Sequence, residues 1–303
     1  MRRGAGVAAV SAILEILVRL ATFLAGGTPR LGRVSGDSLI EITVPGLPSE
    51  MSALLAAGSD ALAAAARADG PRHELAAVTL CPPVRRPPKI LAIGLNYADH
   101  IAETKLDTPT FPLFFNKQST SAHGPFAPIH LPRVSDKLDY EGELGFVIGR
   151  RCRHVPRARA HEVIAGYVVC NDVSVRDWQF WAQTFTLGKS FDTHCPYGPF
   201  IVTPDALGDP HALALKTWVN GELRQDSNTR HLVFDCYQQI ETLTKAFTLE
   251  PGDLILTGTP SGVGIGFKPH KYLAVGDKVR VEIEGLGAIE NEVVPEPADT
   301  DLI

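Results

Sequence analysis

Two glutamates separated by one residue, Glu141 and Glu143, carry the strongest chemical signal in the sequence. They come just before the apolar run 144–148, which predicts a β-strand. Because alternate side chains of a strand lie on one face, both carboxylates should point into the same space. Two like charges so close repel each other unless a cation lies between them or one of them takes up a proton. The pair therefore indicates a site that holds positive charge.

A third carboxylate, Asp172, follows another apolar run at 165–170. Neither His nor Cys lies beside these three acids in the sequence. An all-oxygen set of this kind suits a hard divalent cation such as Mg²⁺ or Mn²⁺, with coordination positions left for water or a substrate.

A histidine and a glutamate, His100 and Glu103, follow the predicted strand 90–94. We expect a helix here with Asn96 as its N-cap, so that the two side chains lie at i and i+3 on one face. A carboxylate in that position holds one imidazole nitrogen and leaves the other to take a proton from water. The alternative is a surface helix pair, which is the commoner meaning of this spacing.

Lys189 lies between two small residues and belongs either to a solvated turn or to a site where its charge faces an anionic substrate. The glycine-rich run 256–264 follows a predicted strand and lacks both the P-loop ending and a GxGxxG pattern. It is either a series of tight turns or a surface whose amides and Thr259 hydroxyl bind a small carboxylate.

Arg176 and Gln179 fall on the first turn of a helix predicted after Asp172. In one interpretation Gln179 faces the metal pocket and Arg176 holds the carboxylates around it. In the other, both residues serve packing or the surface, and the sequence favours neither.

Composition restricts the class of protein. The chain has 303 residues, 45% of them hydrophobic, so it can build a large core. A net charge of −5 offers no basic surface for nucleic acid, and no apolar run is long enough to span a membrane. The five cysteines form no CxxC pair, which indicates reduced thiols and a cytoplasmic protein. Residues 1–17 resemble a signal peptide only faintly, and we interpret them as a dispensable extension.

The remaining elements predict a β-rich α+β protein, without the regular strand–helix alternation of a doubly wound sheet. Residues 18–80 read as a small N-terminal α/β module, with short strands followed by two helices. The proline-rich segment 81–88 predicts a stiff linker, and 89–303 the main, catalytic domain.

Taken together, these segments resemble the fumarylacetoacetate hydrolase family, from about residue 19 to residue 295. Five motifs carry the resemblance in the order of the family: 94–100 (GLNYADH), 139–144 (DYEGEL), 166–177 (GYVVCNDVSVRD), 188–192 (GKSFD) and 257–264 (TGTPSGVG). The small N-terminal module is similar to that of the bacterial acylpyruvase and isomerase branch.

The resemblance implies a mixed β-sandwich roll, a homodimer, and bound Mg²⁺ or Mn²⁺. It implies the following roles: metal ligands Glu141, Glu143 and Asp172; catalytic residues His100, Glu103 and Lys189; substrate-binding residues Gln179, Thr259 and Arg176.

The implied substrates are small 2-oxo acids, with neither nucleic acid nor membrane as a partner. Because the His100–Glu103 pair is present, we expect hydrolysis of a C–C bond in an acylpyruvate-like 1,3-dicarbonyl acid. The alternatives are a 2-hydroxymuconate-type isomerase or an oxaloacetate decarboxylase using the same metal site, and an inactive metal-dependent binder of 2-oxo acids.

Overall fold

The computed structural model describes residues 18–104 and 107–300, so the extension predicted at 1–17 lies outside the described residues. Strands dominate this part of the chain. They are β1 (Arg19–Ala25), β2 (Thr28–Ser35), β3 (Ser38–Glu41), β4 (Arg72–Glu74), β5 (Thr79–Cys81), β6 (Ile90–Gly94), β7 (Leu113–Lys117), β8 (Ala122–His123), β9 (Ile129–Leu131), β10 (Leu138–Asp139), β11 (Gly142–Ile148), β12 (Ile164–Asn171), β13 (Ser174–Val175), β14 (Cys195–Val202), β15 (Ala214–Val219), β16 (Glu222–Asn228), β17 (Leu254–Leu256), β18 (Lys278–Ile283) and β19 (Gly287–Pro295).

The helices are short, apart from one that begins with a capping box formed by Asp235 and Gln238. They are α1 (Met51–Ala56), α2 (Ser59–Ala66), α3 (Ala98–Thr104), α4 (Arg176–Gln179), α5 (Pro204–Leu207) and α6 (Cys236–Ala246). 3-10 helices cover Leu75–Ala77, Ser119–Ser121, Arg157–Val163, Thr229–His231, Gly264–Gly266 and Ala298–Thr300.

A large mixed sheet forms the centre of the described residues. Its strands lie in the order β4-β3-β2-β1-β14-β12-β11-β17-β6-β7, and β5 and β8 pair with β1 and β14. A second, five-stranded sheet has the order β16-β15-β18-β19-β9, and β10 pairs with β13. Both the strand-rich α+β class and the mixed β-sandwich roll expected from the sequence are confirmed.

The central strand β11 is buried on both faces. Leu144, Phe146 and Ile148 pack into the core between the two sheets. Val147 packs on the opposite face, in a second core that includes the α1 residue Leu54. This two-sided burial explains the uninterrupted apolar run in the sequence, and it fixes the register of the strand, because a shift by one residue would exchange the two faces.

The predicted N-terminal module contributes strands to the large sheet. β1 pairs with β2 through a tight turn at Gly26 and Gly27, both at positive φ, and its Leu20 lies opposite Ile201 of β14. The division into 18–80, 81–88 and 89–303 stays a prediction. No helix in residues 18–104 and 107–300 has the length and apolar character needed to cross a membrane.

Candidate active site

Three buried carboxylates converge at the start of β11. Glu141 precedes the strand, Glu143 is its second residue, and Asp172 follows the neighbouring strand β12. The pairing of Gly142 with Asn171 places Asp172 beside Glu141, and the Asp172 amide donates to the Glu141 carbonyl at 2.9 Å. One carboxylate oxygen of each residue lies within 4.8 Å of the other two. The structure thus brings together the three acids named in the sequence.

The glycine between the two glutamates is required by packing against the second sheet. A Cβ at Gly142 would lie 2.2 Å from Oγ1 of Thr217, which no side chain tolerates. The Gly142 amide donates to Oε1 of Gln225 at 2.9 Å, and Gln225 in turn donates to the Thr259 hydroxyl at 2.8 Å. Close approach of the two sheets therefore fixes the backbone that aims both glutamates.

Two lysines bind these carboxylates directly. Nζ of Lys189 lies 2.8 Å from Oε2 of Glu141 and 2.8 Å from Oδ2 of Asp172. Nζ of Lys117, from β7, lies 2.6 Å from Oδ1 of Asp172. All four side chains are buried, so these ion pairs are poorly screened by solvent. Lys189 thus contacts the predicted metal ligands themselves, and no pattern in the sequence indicated Lys117.

Arg176 connects the carboxylate cluster to the cavity beside it. Its Nη1 donates to Oε1 of Glu141 at 2.6 Å and to Oε1 of Gln179 at 2.9 Å. Its Nε donates to Oδ2 of Asp139 at 2.8 Å, and Asp139 also accepts from the amides of residues 264 and 265. The Nη2 group is buried and has no partner among the described residues. Buried polar atoms normally have hydrogen-bond partners, and the Nη2 group of Arg176 is an exception.

The charges within the cluster shift the pKa values of Glu141 and Glu143 in opposite directions. Burial would raise the pKa of Glu141, but the charges of Lys189 and Arg176 outweigh it and hold that pKa at about 2. Burial, together with the charges of Asp172 and Glu141, raises the pKa of Glu143 well above its usual range. Glu143 is therefore the acid with the least compensating positive charge.

The predicted histidine–glutamate pair is formed on α3. Nδ1 of His100 lies 3.0 Å from Oε2 of Glu103, and Oε1 of Glu103 accepts from the Gly262 amide at 3.0 Å. Burial would raise the pKa of Glu103, but the bonds from His100 and Gly262 lower it. An ionised Glu103 orients the imidazole and leaves its Nε2 free to exchange a proton.

The expectation that Asn96 caps this helix is wrong. The helix starts at Ala98, and the Asn96 amide instead donates to the carbonyls of Phe234 and Thr257 at 3.0 and 2.7 Å. Its Oδ1 accepts from the Phe234 amide at 2.8 Å. The Asn96 side chain bonds to backbone groups of two segments that are distant in sequence. Only the folded structure brings those groups close to Asn96, so the local sequence around the helix could not predict these bonds.

The helix is held to the second sheet at its first turn. The Ser227 hydroxyl, on β16, donates to Oδ2 of Asp99 at 2.6 Å, and His231 lies 3.9 Å from the same carboxylate. Since Asp99 precedes His100 directly, these contacts set the position of the imidazole.

A cavity of about 230 Å³ opens beside the cluster. The polar part of its lining, called the polar wall, consists of the predicted site residues His100, Glu141, Arg176, Gln179, Lys189 and Thr259. The apolar part, called the apolar wall, is formed mainly by Ile93, Leu113, Phe115, Phe180, Phe185, Val263 and Ile265. The cavity therefore suits a small molecule that has both polar and apolar groups.

The cluster fits a hard divalent cation. When all four acids are ionised, Glu141, Glu143, Asp172 and Asp139 carry four negative charges, whereas Lys117, Lys189 and Arg176 carry three positive ones. One carboxylate oxygen each from Glu141, Glu143 and Asp172 lies within 4.8 Å of the other two, so three oxygen ligands are close enough to turn towards one cation. The raised pKa of Glu143 marks where added positive charge would be most stabilising.

Spacing along the chain did not reveal three residues of the site. Lys117 and Gln225 lie 55 and 83 positions from the residues that they contact, Asp172 and Gly142. Asp139 belongs to the motif 139–144, but its position in that motif indicated no role for it. An isolated lysine, glutamine or aspartate has no local pattern, so only an alignment of related sequences could have singled them out.

Comparison with known proteins agrees with this geometry. A family model described as the C-terminal domain of fumarylacetoacetate hydrolase matches residues 89–294. A mitochondrial oxaloacetate tautomerase of Xenopus laevis is 43% identical over 276 residues, which are 88% of this chain and 86% of that protein.

Solved structures show the same architecture. A fumarylacetoacetate hydrolase from Exiguobacterium antarcticum has a TM-score of 0.82 at 36% identity, covering 92% of this chain and 100% of that one. A maleylpyruvate hydrolase from Sphingobium sp. SYK-6, in complex with manganese(II) and pyruvate, has a TM-score of 0.75 at 35% identity with the same coverage.

Proposed function

The chain belongs to the fumarylacetoacetate hydrolase family, whose members act on small dicarbonyl acids, and we propose that it tautomerises a 2-oxo acid of the oxaloacetate type. One observation carries the proposal: three carboxylate oxygens converge within 4.8 Å of one another, and one of the three acids, Glu141, lines a cavity together with His100 and Lys189. The name of the Xenopus relative supports tautomerisation over the C–C hydrolysis expected from the sequence.

Glu141, Glu143 and Asp172 are the residues that would hold the metal, Mg²⁺ or Mn²⁺. A divalent cation there would supply the fixed positive charge that stabilises an enolate, the common intermediate of the candidate reactions. The manganese found in the maleylpyruvate hydrolase structure supports a divalent metal of this kind.

The substrate carboxylate is bound at the polar wall of the cavity. Arg176, the Gln179 amide and the Thr259 hydroxyl line this space together. Lys189 adds a positive charge next to the oxygen that becomes negative. The apolar wall keeps bulk water away from the reacting carbon, which strengthens each of these interactions.

His100 moves the proton. Held at Nδ1 by Glu103, the imidazole takes a proton from the carbon between the two carbonyl groups through Nε2. The electron pair of the broken C–H bond becomes the C=C bond, and the carbonyl oxygen takes the negative charge. Return of the proton to that oxygen gives the enol, and the reverse sequence gives the keto form.

Hydrolysis of an acylpyruvate-like acid is the second candidate, favoured by the His100–Glu103 contact of 3.0 Å. The same imidazole would take a proton from water, whose oxygen attacks the distal carbonyl and releases pyruvate as its enolate. The maleylpyruvate hydrolase among the similar structures supports this candidate.

The test is to mix the protein with enol-oxaloacetate, and separately with acetylpyruvate. Decay of the enol absorbance reports tautomerisation, a lactate dehydrogenase couple reports pyruvate, and released CO₂ reports decarboxylation. We expect fast enol decay with Mn²⁺, loss of the effect in chelator, and little pyruvate from either substrate. His161→Ala, at an exposed histidine outside the cavity, is the control for His100→Ala.

Pyruvate formed from acetylpyruvate at a rate comparable to enol decay would establish the hydrolase instead. CO₂ from oxaloacetate would establish a decarboxylase. Metal-dependent binding of oxalate without any turnover would leave only a binding protein. The homodimer and the cytoplasmic location remain proposals, to be tested by sedimentation and by cell fractionation.

A further inference from the structure

A second charged site lies at the other end of β11. Residues 150–159 (RRCRHVPRAR) contain five arginines and one histidine, in a chain whose net charge is −5. The segment begins two residues after β11 ends at Ile148. Since strands rise about 3.3 Å per residue, it lies roughly 20 Å from Glu143. It is therefore separate from the catalytic cavity.

Four of these arginines surround a concavity of about 280 Å³, formed by Arg150, Arg151, Arg153 and Arg159 with the intervening backbone. Glu162 is the one acid in the lining. Glu250 pairs with Arg151 from outside it, so the site keeps two net positive charges before any contribution from His154.

Three of the four guanidinium groups are held in position by contacts with the protein. Arg159 is held by both carboxylate oxygens of Glu162 at 2.8 Å, and Nε of Arg151 lies 3.1 Å from Glu250. Nη1 of Arg153 donates to the carbonyl of Thr244. Each guanidinium has five N–H donors, so these contacts leave several donors per residue for a ligand.

The backbone below the arginines is also fixed. The amide and carbonyl of Cys152 pair with Leu249 at 3.0 Å each. The His154 amide donates to the Thr244 carbonyl, and the Val155 amide donates to the Thr244 hydroxyl, both at 3.0 Å. A preorganised site loses less conformational entropy when it binds.

We propose that this arginine pocket binds a small anion that carries two or more phosphate groups. Arginine binds phosphate through two parallel hydrogen bonds, and several arginines around one concavity match an anion with several such groups. The concave shape favours a small molecule over a membrane surface or a nucleic acid.

The test is calorimetric titration of the full chain with inorganic pyrophosphate, ATP, orthophosphate and phosphatidylserine vesicles, in chelator and at low salt. Arg150 has no ion pair within residues 18–104 and 107–300, so Arg150→Ala removes a ligand-facing charge without breaking an internal contact. Arg150→Ala/Arg153→Ala removes two. Arg72→Ala/Arg280→Ala is the matched control, because it removes two exposed arginines elsewhere and leaves the same net charge.

We expect pyrophosphate and ATP to bind more tightly than orthophosphate, and to bind more weakly as salt increases. Kd should rise about tenfold for Arg150→Ala and more for the double variant, but should not change for the control. Oxaloacetate turnover in each variant reports correct folding. Equal Kd values in all variants, absence of pyrophosphate binding, or binding only to anionic phosphatidylserine vesicles would overturn the proposal.

Discussion

Replacement of Lys189 by methionine separates the structural role of this lysine from its chemical role. Methionine has nearly the same length but no charge, so Glu141 and Asp172 each lose a bond of 2.8 Å. Removing one partner of a buried ion pair costs about 3–5 kcal/mol. Without metal, the free energy of unfolding should fall by that amount, because three carboxylates then share the charges of Lys117 and Arg176 alone.

With metal, the two roles give opposite results. A dication among the carboxylates offsets the lost charge, so Mn²⁺ should restore most of the stability of Lys189→Met and should bind no more weakly than in the wild type. Turnover should stay about 100- to 1,000-fold lower, which is the usual effect of removing one group that stabilises a developing negative charge.

The assays are denaturant unfolding and enol-oxaloacetate decay, each with chelator and with Mn²⁺. Lys89→Met is the control, since Lys89 also pairs with a buried acid, Asp253, at 2.7 Å but lies outside the cavity. Turnover of Lys189→Met within about threefold of the wild type would refute the reasoning, and so would a stability loss that Mn²⁺ leaves unchanged.

Four further predictions follow from named contacts. Glu143→Gln should weaken Mn²⁺ binding by more than about 100-fold in calorimetry. The reason is that loss of a residue that only hydrogen-bonds to a metal ligand already lowers metal affinity by about 10- to 100-fold, and Glu143 would be a ligand itself. His100→Ala should lower turnover by about two to four orders of magnitude with Mn²⁺ affinity unchanged; full activity would exclude it as the base. Ser227→Ala should reduce kcat by about tenfold without changing metal affinity, because it loosens Asp99 and hence the helix. Burial lowers the pKa of His194 to about 3, below its ordinary 6.5, so the folded protein excludes a proton that the unfolded chain accepts. Stability should therefore fall below pH 6.5 by up to about 1.4 kcal/mol per pH unit, and His194→Gln should lack that part of the pH dependence in unfolding experiments.

Local patterns in the sequence were sufficient to predict the part of the site that is built at the start of a strand. The run 144–148 is a strand buried on both faces, as its sequence predicted. Glu141 lies one residue before this strand, but the bond from the Asp172 amide to the Glu141 carbonyl continues the pairing, so the two-residue period of a strand extends from Glu143 to Glu141. The i and i+3 spacing of His100 and Glu103 likewise produces a contact on any helix. Short-range geometry of this kind does not depend on the rest of the fold.

Only the tertiary structure decided which charges face each other. Lys117 reaches Asp172 across the sheet, and Lys189 joins Glu141 to Asp172 from a loop. Asn96 joins two distant backbone segments instead of capping its helix. Buried polar groups must find partners wherever the folded chain brings them, and sequence separation carries no information about that distance. The sequence alone therefore indicated the three carboxylates that would hold a metal, whereas folding determined which cation faces each of them and added Lys117 and Asp139 to the site.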